Sequence, residues 1–372
     1  MAKGMVRLLI GTRKGGFIAE SDVRRRKWEV RGPVQPGTEV FHMVADPRHP
    51  GHIYSLANSW FFGPLLYRSS DGGRKWSELS TPLMPRSSKR PSPLGPEPPK
   101  RPIANLWHLE PGPAGEPRSM FLGVDPGSLF RTDDLAKSWT PVSALNEHPT
   151  REKWNPGAGG MCTHTILLDP SRPHRMYVGI SAAGTFRTDD SGEHWTPMNH
   201  GVAVSFLPEK HPEVGQCVHD VTLDPAHPET LYRQDHDGIY VSHDSAESWK
   251  RIGRSLPYDF GFVVAAPAAS PGNAFFVPLD PKYRITREPG LQVWKWADGA
   301  RKWSPTMRSQ LWPGTYGTHR EGLTTDALDP FGLYLGTTTG ELFFSNDAAR
   351  SWSLMPYHFP AIHSVAVQNP EP

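Results

Sequence analysis

Ser69-Ser70-Asp71-Gly72-Gly73-Arg74-Lys75-Trp76 is the stretch that decides the fold, because the chain repeats its pattern along its whole length. In each copy an Asp is followed two residues later by Gly or Ala and five residues later by Trp. The copies are Asp71/Trp76, Asp134/Trp139, Asp190/Trp195, Asp244/Trp249, Asp298/Trp303 and Asp347/Trp352. A period near 50 residues with one turn signature per period is typical of a β-propeller or a solenoid. The repeat therefore indicates the architecture before any site is considered.

The repeated Asp and Trp are best explained as structural residues. In Thr188-Asp189-Asp190-Ser191-Gly192, the short Asp190 carboxylate can accept hydrogen bonds from backbone N–H groups a few residues later, and Gly192 tolerates a tight bend. Trp then serves as a large apolar anchor at the start of the next strand. We therefore look for function elsewhere.

Five of the six copies carry Ser or Thr two residues before the Asp, and the copy at Asp298 carries Trp296 there. This pattern resembles the Asp-box (BNR-repeat) propeller superfamily of sialidases, sortilin-like receptors and xyloglucan hydrolases. The resemblance implies a β-propeller whose first strands line a central channel. It also implies a ligand pocket on the face opposite the Asp boxes.

The tryptophan spacing gives the number of blades. Successive spacings from Trp76 to Trp352 are 63, 56, 54, 54 and 49 residues, and Trp28 lies 48 residues before Trp76. Each unit has room for four short strands, and in most units an Asp-Pro turn follows the first strand. These turns are Asp46-Pro47, Asp169-Pro170, Asp224-Pro225 and Asp329-Pro330. We predict an all-β, seven-bladed β-propeller.

The two ends of the chain are predicted to share the first blade. The first unit begins with its second strand, Val6 to Thr12, while the chain ends on an unassigned apolar strand, Ile362 to Val367. Pairing of these two segments closes the ring.

Composition limits the function classes. The 372 residues include 35 Gly and 40 Pro with 37% hydrophobic residues, which predicts one turn-rich globular domain over residues 1–372, with an inserted loop at 82–102. A net charge of +2 gives no reason to expect a nucleic-acid partner. No apolar run suits a membrane span or a secretory signal, so we expect a cytoplasmic protein without a membrane partner. Two cysteines give no disulfide framework, and the oligomeric state does not follow from the sequence.

A Pro-rich insertion, 82–102, interrupts the repeat. It carries eight prolines among five basic residues, which favours extended conformations over a strand. A solvated connector is one interpretation, and a lid over the pocket face is the other.

Histidines are concentrated where the first strands are predicted to enter the channel. They are His42, His108, His164, His219 and His363, and His236 lies on a turn of the same face. Cys162/His164 and Cys217/His219 repeat a Cys-x-His pair in adjacent blades, and side chains two residues apart in a strand lie on one side. Such donors suit zinc, copper or iron.

We therefore predict a site for a single transition metal formed by His164, His219, His236 and His363. The two cysteines are further candidate donors. In the alternative interpretation both are small apolar core residues, and they occupy equivalent positions only because the blades are repeats.

Cationic side chains are predicted around the same rim. Guanidinium groups on a concave surface suit capture of a carboxylate, sulfate or phosphate, and an indole adds an apolar wall. The predicted substrate-binding residues are Arg13, Lys153, Trp154, Arg284, Arg287, Arg320 and His236. Sialidases hold a sugar acid with three arginines, but their Arg-Ile-Pro motif is absent, since Tyr283-Arg284-Ile285-Thr286 matches it only in part.

Glu321 is the carboxylate best placed for catalysis, between Arg320 and Gly322. It could act as a general acid or base, together with His219 and His164; the alternative is an ion pair that fixes the loop. Asp220, Asp235 and Asp237 are further carboxylates on that face, and a glycosidase needs two.

Three functions follow as hypotheses. The first is a sialidase-like or glycosyl-hydrolase-like enzyme acting on a small anionic or glycosidic substrate. The second is a metal-dependent oxidoreductase or lyase that uses the histidines. The third is a non-enzymatic binding or assembly propeller.

Overall fold

The computed structural model describes residues 4–83, 103–157, 159–287, 290–307 and 315–370, which form seven four-stranded antiparallel sheets arranged as the blades of a propeller. This confirms the predicted fold class. From inner to outer strand, blade 1 has β28 (Ile362–Gln368), β1 (Met5–Thr12), β2 (Gly15–Asp22) and β3 (Glu29–Val34). Blade 2 has β4 (Glu39–Ala45), β5 (Ile53–Ser59), β6 (Gly63–Ser69) and β7 (Ser77–Leu79). Blade 3 has β8 (Asn105–Pro111), β9 (Met120–Asp125), β10 (Ser128–Thr132) and β11 (Thr140–Pro141).

The remaining blades have the same order from inner to outer strand. Blade 4 has β12 (Cys162–Leu168), β13 (Met176–Ser181), β14 (Gly184–Thr188) and β15 (Thr196–Pro197), and blade 5 has β16 (Val218–Asp224), β17 (His227–Asp235), β18 (Gly238–Ser242) and β19 (Lys250–Arg251). Blade 6 has β20 (Phe260–Ala265), β21 (Asn273–Leu279), β22 (Trp294–Ala297) and β23 (Lys302–Pro305), and blade 7 has β24 (Leu323–Thr325), β25 (Leu333–Gly336), β26 (Leu342–Ser345) and β27 (Ser353–Leu354).

The little helix that is present lies in connections. It comprises the short helix α1 (Ser143–Asn146) and the 3-10 turns Arg151–Lys153 and Gly253–Ser255. No helix within the described ranges is long and apolar enough to cross a membrane.

The two chain ends close the ring, as predicted. Strand β28 pairs antiparallel with β1, with Leu9 opposite Ala366, and supplies the inner strand of blade 1. A buried ion pair adds to this closure: Arg25 Nη1 in blade 1 lies 2.8 Å from Asp326 Oδ2 in blade 7, and the side chains are 4% and 0% exposed.

The Asp turns have one hydrogen-bonding pattern in five blades. In blade 2, Ser69 Oγ donates to Asp71 Oδ1 (2.8 Å) and accepts from Gly73 N (2.7 Å), while Lys75 N donates to Asp71 Oδ1 at 2.9 Å. The same bonds recur at Asp134, Asp190, Asp244 and Asp347. Two successive residues there have positive φ, as at Gly72 (72°) and Gly73 (84°), which explains the preference for Gly and small residues.

Two details of the repeat differ from the prediction. Asp298 forms no such turn, because Ala297 pairs directly with Lys302 in a tight hairpin, and its carboxylate instead accepts from Trp296 Nε1 at 3.1 Å. In blade 7 the turn after the first strand begins at the buried Asp326, not at Asp329, because β24 already ends at Thr325.

The core consists of apolar clusters between neighbouring blades. Within the described residues there are seven such clusters, one at each interface around the ring. Leu8, Leu122 and Leu333 are fully buried examples, and each buried side chain of this size contributes about 2 kcal/mol. Of the predicted Pro-rich insertion, only residues 82 and 83 lie in the described ranges, so its structure and the lid hypothesis fall outside them.

Candidate axial site

The first strand of each blade faces the axis and carries a β-bulge near its start in six of the seven blades. The extra residues, read from the shifts in pairing with the second strand, are Phe41, Trp107, His164, His219, Phe262-Val263 and His363. Bulges re-aim side chains and occur next to active sites. Aromatic contacts join several of them: the Phe41 ring centroid lies 5.2 Å from that of Trp107 and 5.1 Å from that of His363.

Glu321 occupies the same register in blade 7. Phe41, His164, His219 and Glu321 each stand five residues before a buried turn-forming Asp; these are Asp46, Asp169, Asp224 and Asp326. Each of these Asp side chains accepts a hydrogen bond from the backbone N–H two residues later. We call Phe41, Trp107, His164, His219, Phe262, Glu321 and His363 the axial ring.

Glu321 is bound by two histidines from other blades. Its Oε2 lies 2.6 Å from His42 Nδ1, and its Oε1 lies 2.6 Å from His108 Nδ1. The second nitrogens also face acceptors: His42 Nε2 is 3.1 Å from the Leu109 carbonyl oxygen, and His108 Nε2 is 3.4 Å from Glu110 Oε2. Because an ionised carboxylate only accepts, all four bonds require an N–H on each nitrogen. Glu321 is thus held between N–H donors of two histidines.

The electrostatics of this cluster follow from the close pairing. Burial alone would raise the pKa of Glu321, but the charges and hydrogen bonds of His42 and His108 outweigh it and lower this pKa to about 2. Burial alone would lower the pKa of His108, but Glu321 and Glu110 raise it to about 10. The Glu321 side chain is 22% exposed, so part of an ionised carboxylate still faces the channel.

Asp220 is a second carboxyl group near the axis, and its pKa is shifted in the direction opposite to that of Glu321. It directly follows His219, and its Oδ2 accepts a hydrogen bond from Val264 N at 3.0 Å. Burial raises the pKa of Asp220 well above its usual range, and the negative charge of Glu321 raises it further. The pKa values of these two carboxyl groups are therefore shifted in opposite directions.

Arg320 is the cation at the channel mouth. Its guanidinium carbon lies 5.8 Å from the Trp107 ring centroid and 5.9 Å from that of Phe262, and its Nη2 is 3.5 Å from Ser181 Oγ. Its buried Nε has no hydrogen-bond partner, and no ion pair of Arg320 occurs among the described residues. The bond to Ser181 is thus the one hydrogen bond of the Arg320 guanidinium among the described residues.

The four histidines predicted as metal ligands do not converge. His164 is buried and already uses both nitrogens, since Nε2 lies 3.0 Å from Val218 O and Nδ1 lies 2.9 Å from Thr165 Oγ1. His363 is paired with Glu39, with Nε2 2.9 Å from Oε1, and its ring centroid lies 4.6 Å from that of His319. Only two of the four, His219 and His236, come together.

His219 and His236 are instead joined by Cys217. Donor atoms of these three residues all lie within 4.8 Å of one another. His219 Nδ1 donates to Gly261 O at 2.6 Å, and its Nε2 lies 3.6 Å from Cys217 Sγ. Burial and the positive charge of Arg320 hold the pKa of His219 well below its usual range, so its imidazole is neutral. Burial also raises the pKa of the Cys217 thiol.

The other predicted rim residues occupy varied positions. Arg13 and Arg284 are exposed; Arg284 lowers the pKa of Cys217 through its charge, which places it near the channel. Lys153 pairs with Glu213 at 3.5 Å with both side chains exposed, and Arg287 pairs with Asp280 at 2.9 Å.

Trp154 is a core residue of blade 4. It is 6% exposed, its ring centroid lies 5.0 Å from that of Phe186, and its Nε1 donates to Thr150 Oγ1 at 3.0 Å. It cannot form a wall of the axial pocket. Trp60, in contrast, is 92% exposed at the β5–β6 turn on the pocket face, beside the exposed Phe61 and Phe62.

The sequence placed His42, His108 and Asp220 on the pocket face but assigned them no role in the predicted site. Each of the three directly follows a residue of the axial ring, in the pairs Phe41-His42, Trp107-His108 and His219-Asp220. That adjacency is a sequence signal, but it becomes readable only once the bulge is known. A separate cavity of about 550 Å³ lies between blades 6 and 7, lined by Lys295, Thr306, Phe331 and Arg350, and contains none of these groups.

Comparisons with known proteins support the fold more than the chemistry. No family model matches the chain. A curated Neosartorya fischeri protein named probable oligoxyloglucan-reducing end-specific xyloglucanase is 24% identical over 214 residues, covering 52% of this chain and 25% of its own length. The chain thus spans about a quarter of that relative.

Solved structures give the same result. The GH74 enzyme of Niastella koreensis aligns with a TM-score of 0.61 at 16% identity, over 93% of this chain and 51% of that one. YCF48 from Cyanidioschyzon merolae aligns with a TM-score of 0.54 at 10% identity, over 90% of this chain and 96% of that one. At these identities the likeness shows the propeller fold alone. The GH74 enzyme and YCF48 are structural neighbours of this chain in that sense.

Proposed function

We propose that this protein is a glycoside-hydrolase-like enzyme acting on a small anionic or glycosidic substrate in the axial pocket, opposite the Asp turns. The observation that carries the proposal is the contrast between Asp220 and Glu321. Burial raises the pKa of Asp220, while two histidines lower the pKa of Glu321. Pairs of acids whose environments push their pKa values apart are typical of acid and base partners in catalysis.

The proposed roles follow from the opposite pKa shifts. Asp220 donates its proton to the oxygen of the departing group, which glycosidic cleavage requires. Glu321 retains free lone pairs on its partly exposed carboxylate and either activates a water molecule or stabilises the positive charge that develops on the sugar. His42 and His108 position Glu321 and keep it ionised.

Arg320 gives the substrate preference. Its guanidinium group, which makes one hydrogen bond among the described residues, suits a carboxylate or another planar anion, and Trp107 and Phe262 provide apolar faces for a sugar ring. An acidic sugar, as in sialidases, fits this arrangement. The relationship to the Asp-box superfamily is part of the proposal and is supported by the common hydrogen-bonding pattern of five Asp turns.

The xyloglucanase and GH74 relatives support glycan hydrolysis as the reaction class. They contribute no residue assignment here, because the chain covers only part of their length. The proposal therefore depends on the axial site of this chain.

The test is hydrolysis of a panel of chromogenic neutral and acidic glycosides and of xyloglucan oligosaccharides. Asp220→Asn and Glu321→Gln should each lower kcat by about a hundredfold or more, while Arg320→Met should raise KM for acidic substrates more than for neutral ones. Asp133→Asn is the matched control, since Asp133 is an exposed carboxylate beside the Asp turn of blade 3. Cleavage that survives both carboxylate substitutions, or no cleavage of any member of the panel, would contradict the proposal.

A second function, glycan binding without hydrolysis, is favoured by the exposed turn Trp60-Phe61-Phe62. Its three rings are 92%, 84% and 81% exposed, and exposed aromatic groups of this size on a soluble fold commonly mark a binding surface. In that case calorimetry would detect oligosaccharide binding that Trp60→Ser weakens, and the bound oligosaccharide would be recovered uncut. Release of new reducing ends would instead show that the protein hydrolyses the oligosaccharide.

A further inference from the structure

We propose that Cys217, His219 and His236 bind one zinc-class transition-metal ion at the pocket face of blade 5. This goes beyond the proposed hydrolase function, because the ligands are side chains other than Asp220 and Glu321 and its test measures metal binding alone. The sequence pointed to His219 and His236 as ligands and to Cys217 as a further candidate donor, but it grouped them with His164 and His363, which the structure places elsewhere.

The three donors are brought together by backbone structure. Cys217 directly precedes β16, His219 is the bulged residue of that strand, and His236 begins the turn between β17 and β18. His236 N donates to Cys217 O at 3.0 Å, which fixes the turn against the start of β16. The donor atoms lie within 4.8 Å of one another before any metal is bound.

The distance between Cys217 Sγ and His219 Nε2 matches that of a metal site. A tetrahedral zinc ion with Zn–S of about 2.3 Å and Zn–N of about 2.05 Å separates its sulfur and nitrogen ligands by about 3.6 Å. The observed Sγ–Nε2 distance is 3.6 Å. Two donors therefore already stand at the separation that the metal requires.

The hydrogen bonds around these donors suit metal binding. His219 Nδ1 donates to Gly261 O at 2.6 Å, so its proton is on Nδ1 and the lone pair of Nε2 faces Cys217. A ligating histidine almost always donates its other N–H to such an acceptor, which fixes the tautomer and the ring orientation. His164 in the next blade shows the contrast, because both of its nitrogens are occupied.

His236 completes the set with a ring that is held in place. Its centroid lies 5.3 Å from that of Phe260, 5.6 Å from that of Phe206 and 5.8 Å from that of His219. One thiolate and two imidazoles are a soft donor set that suits zinc or cobalt(II) better than magnesium or calcium. Three protein ligands also leave a fourth position for water or a ligand, as in catalytic zinc sites.

The experiment is a Co²⁺ titration of reduced, untagged, full-length protein, followed by absorption spectroscopy. Binding should give a thiolate-to-cobalt charge-transfer band and the strong visible bands of tetrahedral Co²⁺, saturating at one equivalent and removed by Zn²⁺. Cys217→Ser should abolish the charge-transfer band. His236→Gln, at a partly exposed turn position, should weaken Co²⁺ binding at least tenfold with the fold retained by circular dichroism.

Cys162→Ser is the matched control. Cys162 is the other cysteine of the chain, also buried and two residues before His164, but it does not belong to the donor cluster. This variant should keep the full cobalt spectrum. The proposal is overturned if wild-type protein gives no charge-transfer band, if Cys162→Ser removes it, or if a folded His236→Gln variant binds Co²⁺ as tightly as wild type.

Discussion

Glu321 in blade 7 and His108 in blade 3 are 213 residues apart in sequence, yet their Oε1 and Nδ1 atoms lie 2.6 Å apart at the propeller axis. The other oxygen of the same carboxylate binds His42 of blade 2 at the same distance. One side chain thus connects the inner strands of three blades. The connection is ionic, so it should contribute both to stability and to its pH dependence.

Glu321→Gln is expected to destabilise the protein by about 2 kcal/mol at pH 7, because hydrogen bonds to a charged group are lost and two imidazole N–H groups face a neutral amide. Urea unfolding followed by tryptophan fluorescence measures this free energy. Glu110→Gln is the control, since its carboxylate is one-third exposed and lies 3.4 Å from His108 Nε2. It should cost less than about 0.5 kcal/mol. Equal losses in the two variants would show that Glu321 has no special role.

The free energy of unfolding should fall as the solution becomes alkaline. The pKa of His108 is raised from 6.5 to about 10 in the folded protein, so its stabilising effect is complete below pH 6.5 and is lost as pH rises through about 10. Between these values the folded state binds one more proton than the unfolded state, and the slope reaches about −1.4 kcal/mol per pH unit.

In acid, the free energy of unfolding should instead rise with pH. The pKa of Glu321 is lowered from 4.5 to about 2, so its contribution is present above pH 4.5 and is lost as pH falls through about 2. Unfolding curves at pH 3 to 10 for wild type and His108→Gln separate the two limbs. His108→Gln should remove the alkaline slope between pH 7 and pH 10, and an unchanged slope would mean that another group causes it.

The repeat made the fold predictable, because its information is local. Each Asp turn is formed by residues that lie within six positions of one another, from Ser69 to Lys75 in blade 2, and the number of copies gives the number of blades. The closure by β28 followed from counting strands. Asp298 was the exception, and its missing Ser or Thr already marked it.

The site was predictable only in part, because its contacts are non-local. Sequence patterns identified Glu321 and the density of histidines, but not that His42 and His108 bind it, since the bulges that aim these side chains leave no sequence signature. Placing the blade 7 turn at Asp329 also hid the equivalence of Glu321 with His164 and His219. Trp154 was assigned to the pocket because a tryptophan of the core and one of a binding surface look alike in sequence.

Arg25→Ala should be among the most destabilising single substitutions, at about 3 to 5 kcal/mol, because it leaves the buried Asp326 carboxylate without its cation. The guanidinium also donates to Pro330 O at 2.8 Å and so ties blade 1 to blade 7. Thermal and urea unfolding measure the loss. Arg24→Ala, at the exposed neighbouring position, should change the free energy of unfolding by less than about 0.5 kcal/mol. A small effect of Arg25→Ala would mean that β28 alone closes the ring.

The Asp turns offer a comparison within one chain. Asp347 accepts hydrogen bonds from Arg350 N at 3.0 Å and from Ser351 N at 2.9 Å, whereas the Asp298 carboxylate accepts no backbone N–H bond among the described residues and binds the Trp296 indole instead. Asp347→Ala should therefore cost about 1 to 2 kcal/mol, because two backbone donors and two hydroxyl groups lose their acceptor.

Asp298→Ala should cost about 0.5 kcal/mol or less, since the strands on either side of it pair directly and need no capping group. Urea unfolding of both variants, read by the same tryptophan signal, gives the two free energies. A similar loss at the two positions would show that the carboxylate stabilises the turn through its charge and not through these backbone bonds. Asp347→Asn distinguishes these explanations, because an amide oxygen keeps the acceptor at the turn and removes the charge.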